Sequence, residues 1–234
     1  MEPPKRDGYE FKGWYSKGKK FDFTKPVKSN ITLTAEWEEL TWEEVDYVEL
    51  SGTQYIDTGV PIEPNLYLNA DIMITDTPNY VATLMGTTTN TTNYRFWICT
   101  FQIDTLKPNC ALMENIISDT SLSTNTKYNI YVKFFDGEQK LYVDDVLLCS
   151  GTNTSTSTAQ AEWNKQGNLL IGKANYSDTV NFVGKIFAFQ MLDSDNTLIR
   201  DFTPIKLSNG KYALLDKVNN KIYENKGTGN FIAG

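Results

Sequence analysis

Histidine is absent from the 234-residue chain. That removes Ser-His and Cys-His catalytic arrangements, histidine zinc sites and any imidazole switch near neutral pH. Cysteine is scarce: Cys99, Cys110 and Cys149 are the only three, with no CxxC pair, so dithiol redox and zinc-ribbon motifs are excluded. They are expected as small buried apolar side chains, with a single Cys99–Cys110 disulfide as the alternative in an oxidising compartment. No run of about 18 apolar residues occurs, which argues against membrane insertion. The opening MEPPKRDGY lacks the apolar stretch of a secretory leader. Positive charge is also short. With 22 Lys+Arg against 29 Asp+Glu the net charge is −7, and nucleic acid, which rewards clustered Lys and Arg, is not an expected partner.

What is present is apolar and aromatic: 40% hydrophobic and 13% aromatic residues, enough for a packed core. Charge divides the chain at residue 39. Residues 1–39 hold 8 basic and 7 acidic side chains, and the remainder holds 14 against 22. In the first part Ile31, Leu33, Ala35 and Trp37 alternate with polar residues as one strand, and Gly8, Gly13 and Gly18 are expected turns. In the second, Leu66, Leu68, Ala70, Ile72 and Ile74 share one strand face, with Tyr67, Asn69, Asp71 and Met73 on the other. Tyr128, Ile130, Val132 and Phe134 repeat the pattern, and tight turns are expected at Asp136-Gly137 and Asp144-Asp145. Further strands are expected at Tyr80–Gly86, Tyr94–Phe101, Leu169–Gly172, Phe182–Leu192, Thr197–Phe202, Tyr212–Asp216 and Lys221–Tyr223. The polar tracts 87–93 and 151–158 read as loops. No long amphipathic helix is indicated. So many strands in so short a chain must stack or close, which predicts an all-β, two-sheet antiparallel sandwich.

Two resemblances sharpen this. The order Gly8-Tyr9, Phe11, Gly13-Trp14-Tyr15, Phe21-Asp22-Phe23 and Ile31–Trp37 (ITLTAEW) resembles the Listeria–Bacteroides (internalin B-type) repeat, a small β-rich module of bacterial surface proteins. That family pattern starts with a further strand, so residues 1–39 are expected as a truncated repeat of a longer polypeptide. The runs YVELSGTQYIDTGV (47–60), YNIYVKFFDGEQKLYVDDVLL (128–148), 168–205 and ALLDKVNNKIYENKGTGNF (213–231) resemble concanavalin A-like, laminin-G-like jelly-roll domains of bacterial and phage surface proteins. Asp145 departs from the glycine usual in LYVDG and is expected to strain that turn. The implied organisation is a repeat (1–39), a linker (40–46) and a jelly-roll sandwich (47–234).

The resemblances imply an extracellular, cell-surface module with a glycan or cell-surface ligand, and leave self-association open. Sugars need exposed rings for stacking beside Asn, Asp or Gln for directional hydrogen bonds. The candidates are Trp163 with Asn164, Tyr94, and Asn175-Tyr176 with Asp178. Glu44, Asp46 and Glu49 carry the E-x-D-x-x-E spacing of laminarinase-type glycosidases, which need two carboxyls about 5–5.5 Å apart. On one strand Glu44 and Asp46 share a face and Glu49 opposes them, and the motif precedes the first strand of the sandwich, so a non-catalytic role is expected. A structural phage tail or fibre component is the third class. No cofactor is expected. Calcium is a possible ligand for the loop acids Asp57, Asp76, Asp104, Asp144, Asp178, Asp193 and Asp195, whose simpler role is turn formation.

Overall fold

The computed structural model describes residues 3–63, 65–77, 82–88, 95–101, 105–112, 114–135, 137–152, 167–174 and 181–234. All regular structure among them is β. The strands are β1 (Tyr9–Ser16), β2 (Lys19–Lys20), β3 (Thr34–Glu39), β4 (Trp42–Glu44), β5 (Val48–Ser51), β6 (Ile56–Pro61), β7 (Leu66–Ile74), β8 (Ala82–Thr88), β9 (Arg95–Phe101) and β10 (Pro108–Leu112). They continue as β11 (Glu114–Ile117), β12 (Lys127–Phe135), β13 (Glu138–Val143), β14 (Val146–Thr152), β15 (Asn168–Ile171), β16 (Val183–Leu192), β17 (Leu198–Leu207), β18 (Tyr212–Asp216) and β19 (Lys221–Tyr223). No helix among the described residues is long and apolar enough to cross a membrane.

The first three strands form their own antiparallel sheet in the order β2-β1-β3. Phe11 faces Trp37 across it, and the Phe11 ring meets Trp14 and Trp37 edge-on at 5.5 and 5.4 Å. These rings are the miniature core of a segment too short to build a larger one. Lys12 bridges Glu10 and Glu38 on the opposite surface. Gly13, expected as a turn, instead lies inside β1: with φ of 135° it closes a bulge at Lys12, between Phe11 and Gly13, and pairs with Glu36.

The other strands make two facing antiparallel sheets, a jelly-roll sandwich. One has six strands, β11-β10-β9-β8-β15-β6; the other runs β14-β13-β12-β7-β16-β17-β18-β19, with β4 added to β17 and β5 to β16. Period-two alternation builds the space between them. Leu68, Ala70, Ile72, Ile130, Val132, Phe134, Leu141 and Phe189 from the large sheet pack against Ile56, Leu84, Leu169 and Ile171 from the small one. A second cluster, Ile205, Leu207, Ala213 and Leu215, is capped by Leu40 and Ile222. Residues 40–46, expected as a linker, thus contribute Leu40 to a core and β4 to the large sheet. Neither Cys110 nor Cys149 is in a disulfide; Cys110 is fully buried and Cys149 partly so.

Candidate functional site

Tyr94, Trp163, Asn164, Asn175, Tyr176 and Asp178 lie outside the described residues. The three acids of the E-x-D-x-x-E motif are described. Glu44 is on β4, exposed, and its carboxylate meets Lys217 Nζ at 2.9 Å. Asp46 sits in an exposed bend. Glu49 is on β5 opposite Lys185, its backbone bridged to Ile232. Because β4 pairs with β17 and β5 with β16, the motif is divided between two strands rather than carried on one. The loop acids cap turns: Asp57 accepts from Gly59 N–H, Asp76 from Thr77 N–H, and Asp193 from both Asp195 and Thr197 N–H. Among the described residues no three His, Cys, Asp or Glu side chains converge on a point that could hold a metal.

The site that the described residues do build lies on the large sheet, on the face turned away from the core. Alternation that sends Leu68, Val132, Leu141 and Met191 inward sends their neighbours outward. Strand register then aligns Tyr142 with Tyr131, Tyr131 with Asn69, Asn69 with Gln190 and Gln190 with Asp201, one residue from each of five adjacent strands. At ~4.8 Å per strand this row is about 19 Å long. A second row sets Lys140, Lys133, Tyr67 and Leu192 beside it.

The aromatic half is a connected cluster, with Tyr67 buried beneath its partly exposed neighbours Tyr131 and Phe135. Tyr67 stacks on Tyr131 at 6.4 Å and on Phe135 at 6.0 Å, and Tyr131 leans on Tyr142 at 5.8 Å. Lys133 Nζ spans Tyr67 and Phe135 at 5.4 and 5.1 Å from their centroids, fixing the ammonium against the ring faces. Partial burial, and next the nearby Tyr67 and Tyr142 hydroxyls, push the Tyr131 phenol up from its ordinary value.

The polar half is pre-ordered. Asn129 Nδ2 donates to both Asn69 Oδ1 and Asp71 Oδ1 at 2.8 Å; Lys127 pairs with Asp71 at 3.2 Å; Gln190 Nε2 donates to Asp201 at 3.1 Å. These bonds fix the amide orientations. They leave Asn69 Nδ2, Gln190 Oε1 and the Tyr131 and Tyr142 hydroxyls without a partner among the described residues. Both donors and acceptors therefore point from a rigid sheet beside a ring platform. The signal in the sequence was two strands whose outward positions carry rings (Tyr67; Tyr131 and Phe135) where a solvated face would carry only polar side chains.

A cleft of about 490 Å³ also separates the N-terminal sheet from the sandwich, with Arg6, Tyr9, Trp37, Asp57, Asn168 and Tyr223 in its walls. Several of its polar groups are already engaged. Arg6 stacks on Tyr9 at 3.7 Å, Asp57 accepts from Asn168, Lys221 reaches Asp7 at 3.6 Å, and Asn225 bonds Tyr55, Gly227 and Gly229. The cleft is therefore a packing boundary more than a prepared site.

Architecture and face together define a β-sandwich of the jelly-roll class. Residues 1–36 match the Listeria-Bacteroides repeat domain. No curated protein matches the chain. Among solved structures, a Bacteroides ovatus ATCC 8483 protein assigned to carbohydrate binding is similar over 88% of this chain, at TM-score 0.56 and 12% identity. This chain spans 64% of the length of that protein. The CBM40 module of a Ruminococcus gnavus IT-sialidase, bound to alpha2,3 sialyllactose, is similar over 66% of this chain and 95% of its own, at TM-score 0.51 and 13% identity.

Proposed function

We propose that this chain is a non-catalytic glycan-binding module of an extracellular bacterial surface protein. It takes its ligand on the outward face of the large sheet and serves adhesion. The observation that carries the reading is the five-strand row Tyr142–Tyr131–Asn69–Gln190–Asp201. Rings meet the CH-rich faces of sugars, while the Asn69 and Gln190 amides answer hydroxyls. The surface is pre-formed, so little ordering opposes binding. It is open rather than enclosed, so single-site affinity is weak and multivalent display raises it. The structural neighbours, one assigned to carbohydrate binding and one a CBM40 bound to a sialylated sugar, support the fold's suitability for this use. The N-terminal repeat match supports a surface-protein setting.

A glycan microarray followed by calorimetric titration of the strongest oligosaccharide tests the reading. Tyr131→Ala and Gln190→Ala should each weaken binding at least about tenfold, about 1.4 kcal/mol. The half-exposed Gln190 variant should keep the parent unfolding midpoint. Silence across the array, or undiminished affinity in both variants, removes the proposal.

A further inference from the structure

The N-terminal sheet is polarised along its strands. At one end, where Tyr15 pairs with both Lys20 and Thr34, residues 16–31 carry Lys17, Lys19, Lys20, Lys25 and Lys28 against the single acid Asp22. Asp22 is already occupied: Oδ1 accepts from the Thr24 N–H and hydroxyl at 3.0 and 2.6 Å, and Oδ2 lies 3.6 Å from Lys25 Nζ. The other four ammoniums make no ion pair among the described residues. Apolar surface lies open beside them. Phe23, Val27 and Ile31 are 63%, 58% and 42% exposed. A groove of about 310 Å³ is lined by Phe21, Val27 and Ile31 together with Lys19, Lys20 and Lys28. The opposite end of the sheet, where Tyr9 pairs with Glu39, leads into residues 38–46, which hold Glu38, Glu39, Glu43, Glu44 and Asp46 and no Lys or Arg. Trp42, 43% exposed, stands among these acids. Three of the five touch a lysine, in exposed pairs that are worth little and exchange readily.

We propose that the basic, apolar groove of one copy docks the acidic segment 38–46 of a second copy, so that chains associate head to tail. Trp42 fills the groove between Phe21, Val27 and Ile31, and the lysines face the carboxylates that flank it. A ring seated in an apolar pocket within a charged surround is the usual anchor of an interface. A chain cannot satisfy itself this way. From Tyr9 to Tyr15 the strand runs about 20 Å, and Leu40 N–H donates to Gly8 O, which keeps the acidic segment at the far end. Charge selects a copy as the occupant despite the net −7 that each carries. At ~0.15 M salt the screening length is about 8 Å, so repulsion between whole chains fades while pairs in contact persist. The joint unites two different surfaces. Each end chain therefore keeps one unfilled groove or one unfilled acidic segment, and association continues beyond the dimer.

Sedimentation velocity of the intact chain, from micromolar to millimolar concentration, tests the docking. The mean mass should rise past that of a dimer at ~0.15 M salt and fall back towards the monomer at ~1 M, where screening shortens to about 3 Å. Val27→Asp and Trp42→Ala should each weaken association at least about tenfold. Val27 is exposed, so its variant should keep the parent unfolding midpoint. Mixed in equal amounts, the two variants should form a heterodimer and nothing larger, because one retains the acidic segment and the other the groove. Lys19→Glu with Lys28→Glu damages the groove by charge alone and should replace Val27→Asp in that mixture. A chain that stays monomeric throughout, a mass that stops at the dimer, or variants that fail to complement each other overturns the assignment. So does a monomer that binds vesicles containing anionic lipid in place of its own copies.

Discussion

At the scale of single residues, the outward face and its turns carry specific consequences. Tyr131 sits between two other phenols and is part-buried, so its proton is held more tightly in the folded chain than in the unfolded one. The sign follows from linkage. A raised folded-state pKa leaves its stabilisation intact below the ordinary tyrosine value of 10.0 and removes it as pH climbs through the folded value. Stability should therefore decline above pH 10. In a spectrophotometric tyrosinate titration, Tyr131→Phe should delete a late-titrating phenol and flatten that decline; an unaltered late phase would contradict the placement. The Asp144-Asp145 turn, at φ of 48° and 65°, keeps both residues in the left-handed region. Asp144 is compensated, since its carboxylate accepts from Asn129 N–H and its own N–H donates to Asn129 O. Asp145 is exposed and makes no such bond among the described residues. Asp145→Gly should accordingly stabilise by about 0.5–1 kcal/mol in urea unfolding, and a loss would mean that its side chain holds the turn in an unrecognised way.

At the scale of elements, the first and last stretches of the sandwich were visible as motifs before their relation was. In the structure they hold each other. Lys226 N–H donates to Tyr55 O, Thr228 N–H to Thr53 O, and Glu49 and Ile232 exchange backbone bonds. Gln54, 3% exposed, is locked by Ser51 and Asn230. Gly227 admits no Cβ because Thr53 O already occupies that space. Phe231 pins this strap to the main core. Phe231→Ala should cost about 3–5 kcal/mol, read as a large fall in the urea midpoint; a fall under a third of that would show the strap to be peripheral. Strands with strict alternation, such as Leu66–Ile74 and Lys127–Phe135, were legible because burial on one face imposes period two. Others were not. β10 and β11 begin with or contain Pro108, Asn109 and Asn115, residues that read as loop, and it is the pairing of β10 with β9 and of β11 with β10 that makes them sheet. The row of the candidate site was hidden for a related reason. It is defined by register between strands distant in sequence, and no spacing along one strand encodes which residues of its neighbours stand opposite.

On the scale of the whole molecule, the chain joins two unequal cores, and their boundary can be located by what crosses it. The N-terminal sheet is stabilised by Phe11, Trp14 and Trp37 among themselves. Its direct ties to the sandwich are polar and exposed, such as Asp7 to Lys221, and exposed pairs contribute about 0–1 kcal/mol. Residues 40–44 behave differently. Leu40 covers the Ile205–Leu215 cluster, and Trp42–Glu44 pairs with Leu207–Ile205. Removing residues 1–39 should thus leave the sandwich folded with its unfolding midpoint nearly unchanged and the proposed glycan binding unaffected, because the five-strand row lies wholly on strands from β7 to β17. Removing residues 1–46 should cost a further 2–4 kcal/mol or so, since it uncovers that apolar cluster and strips one strand from β17. Two truncations compared by chemical denaturation separate these cases. Equal stability would place the boundary after Asp46, whereas collapse of the shorter truncation would mean that the N-terminal sheet is integral to the sandwich.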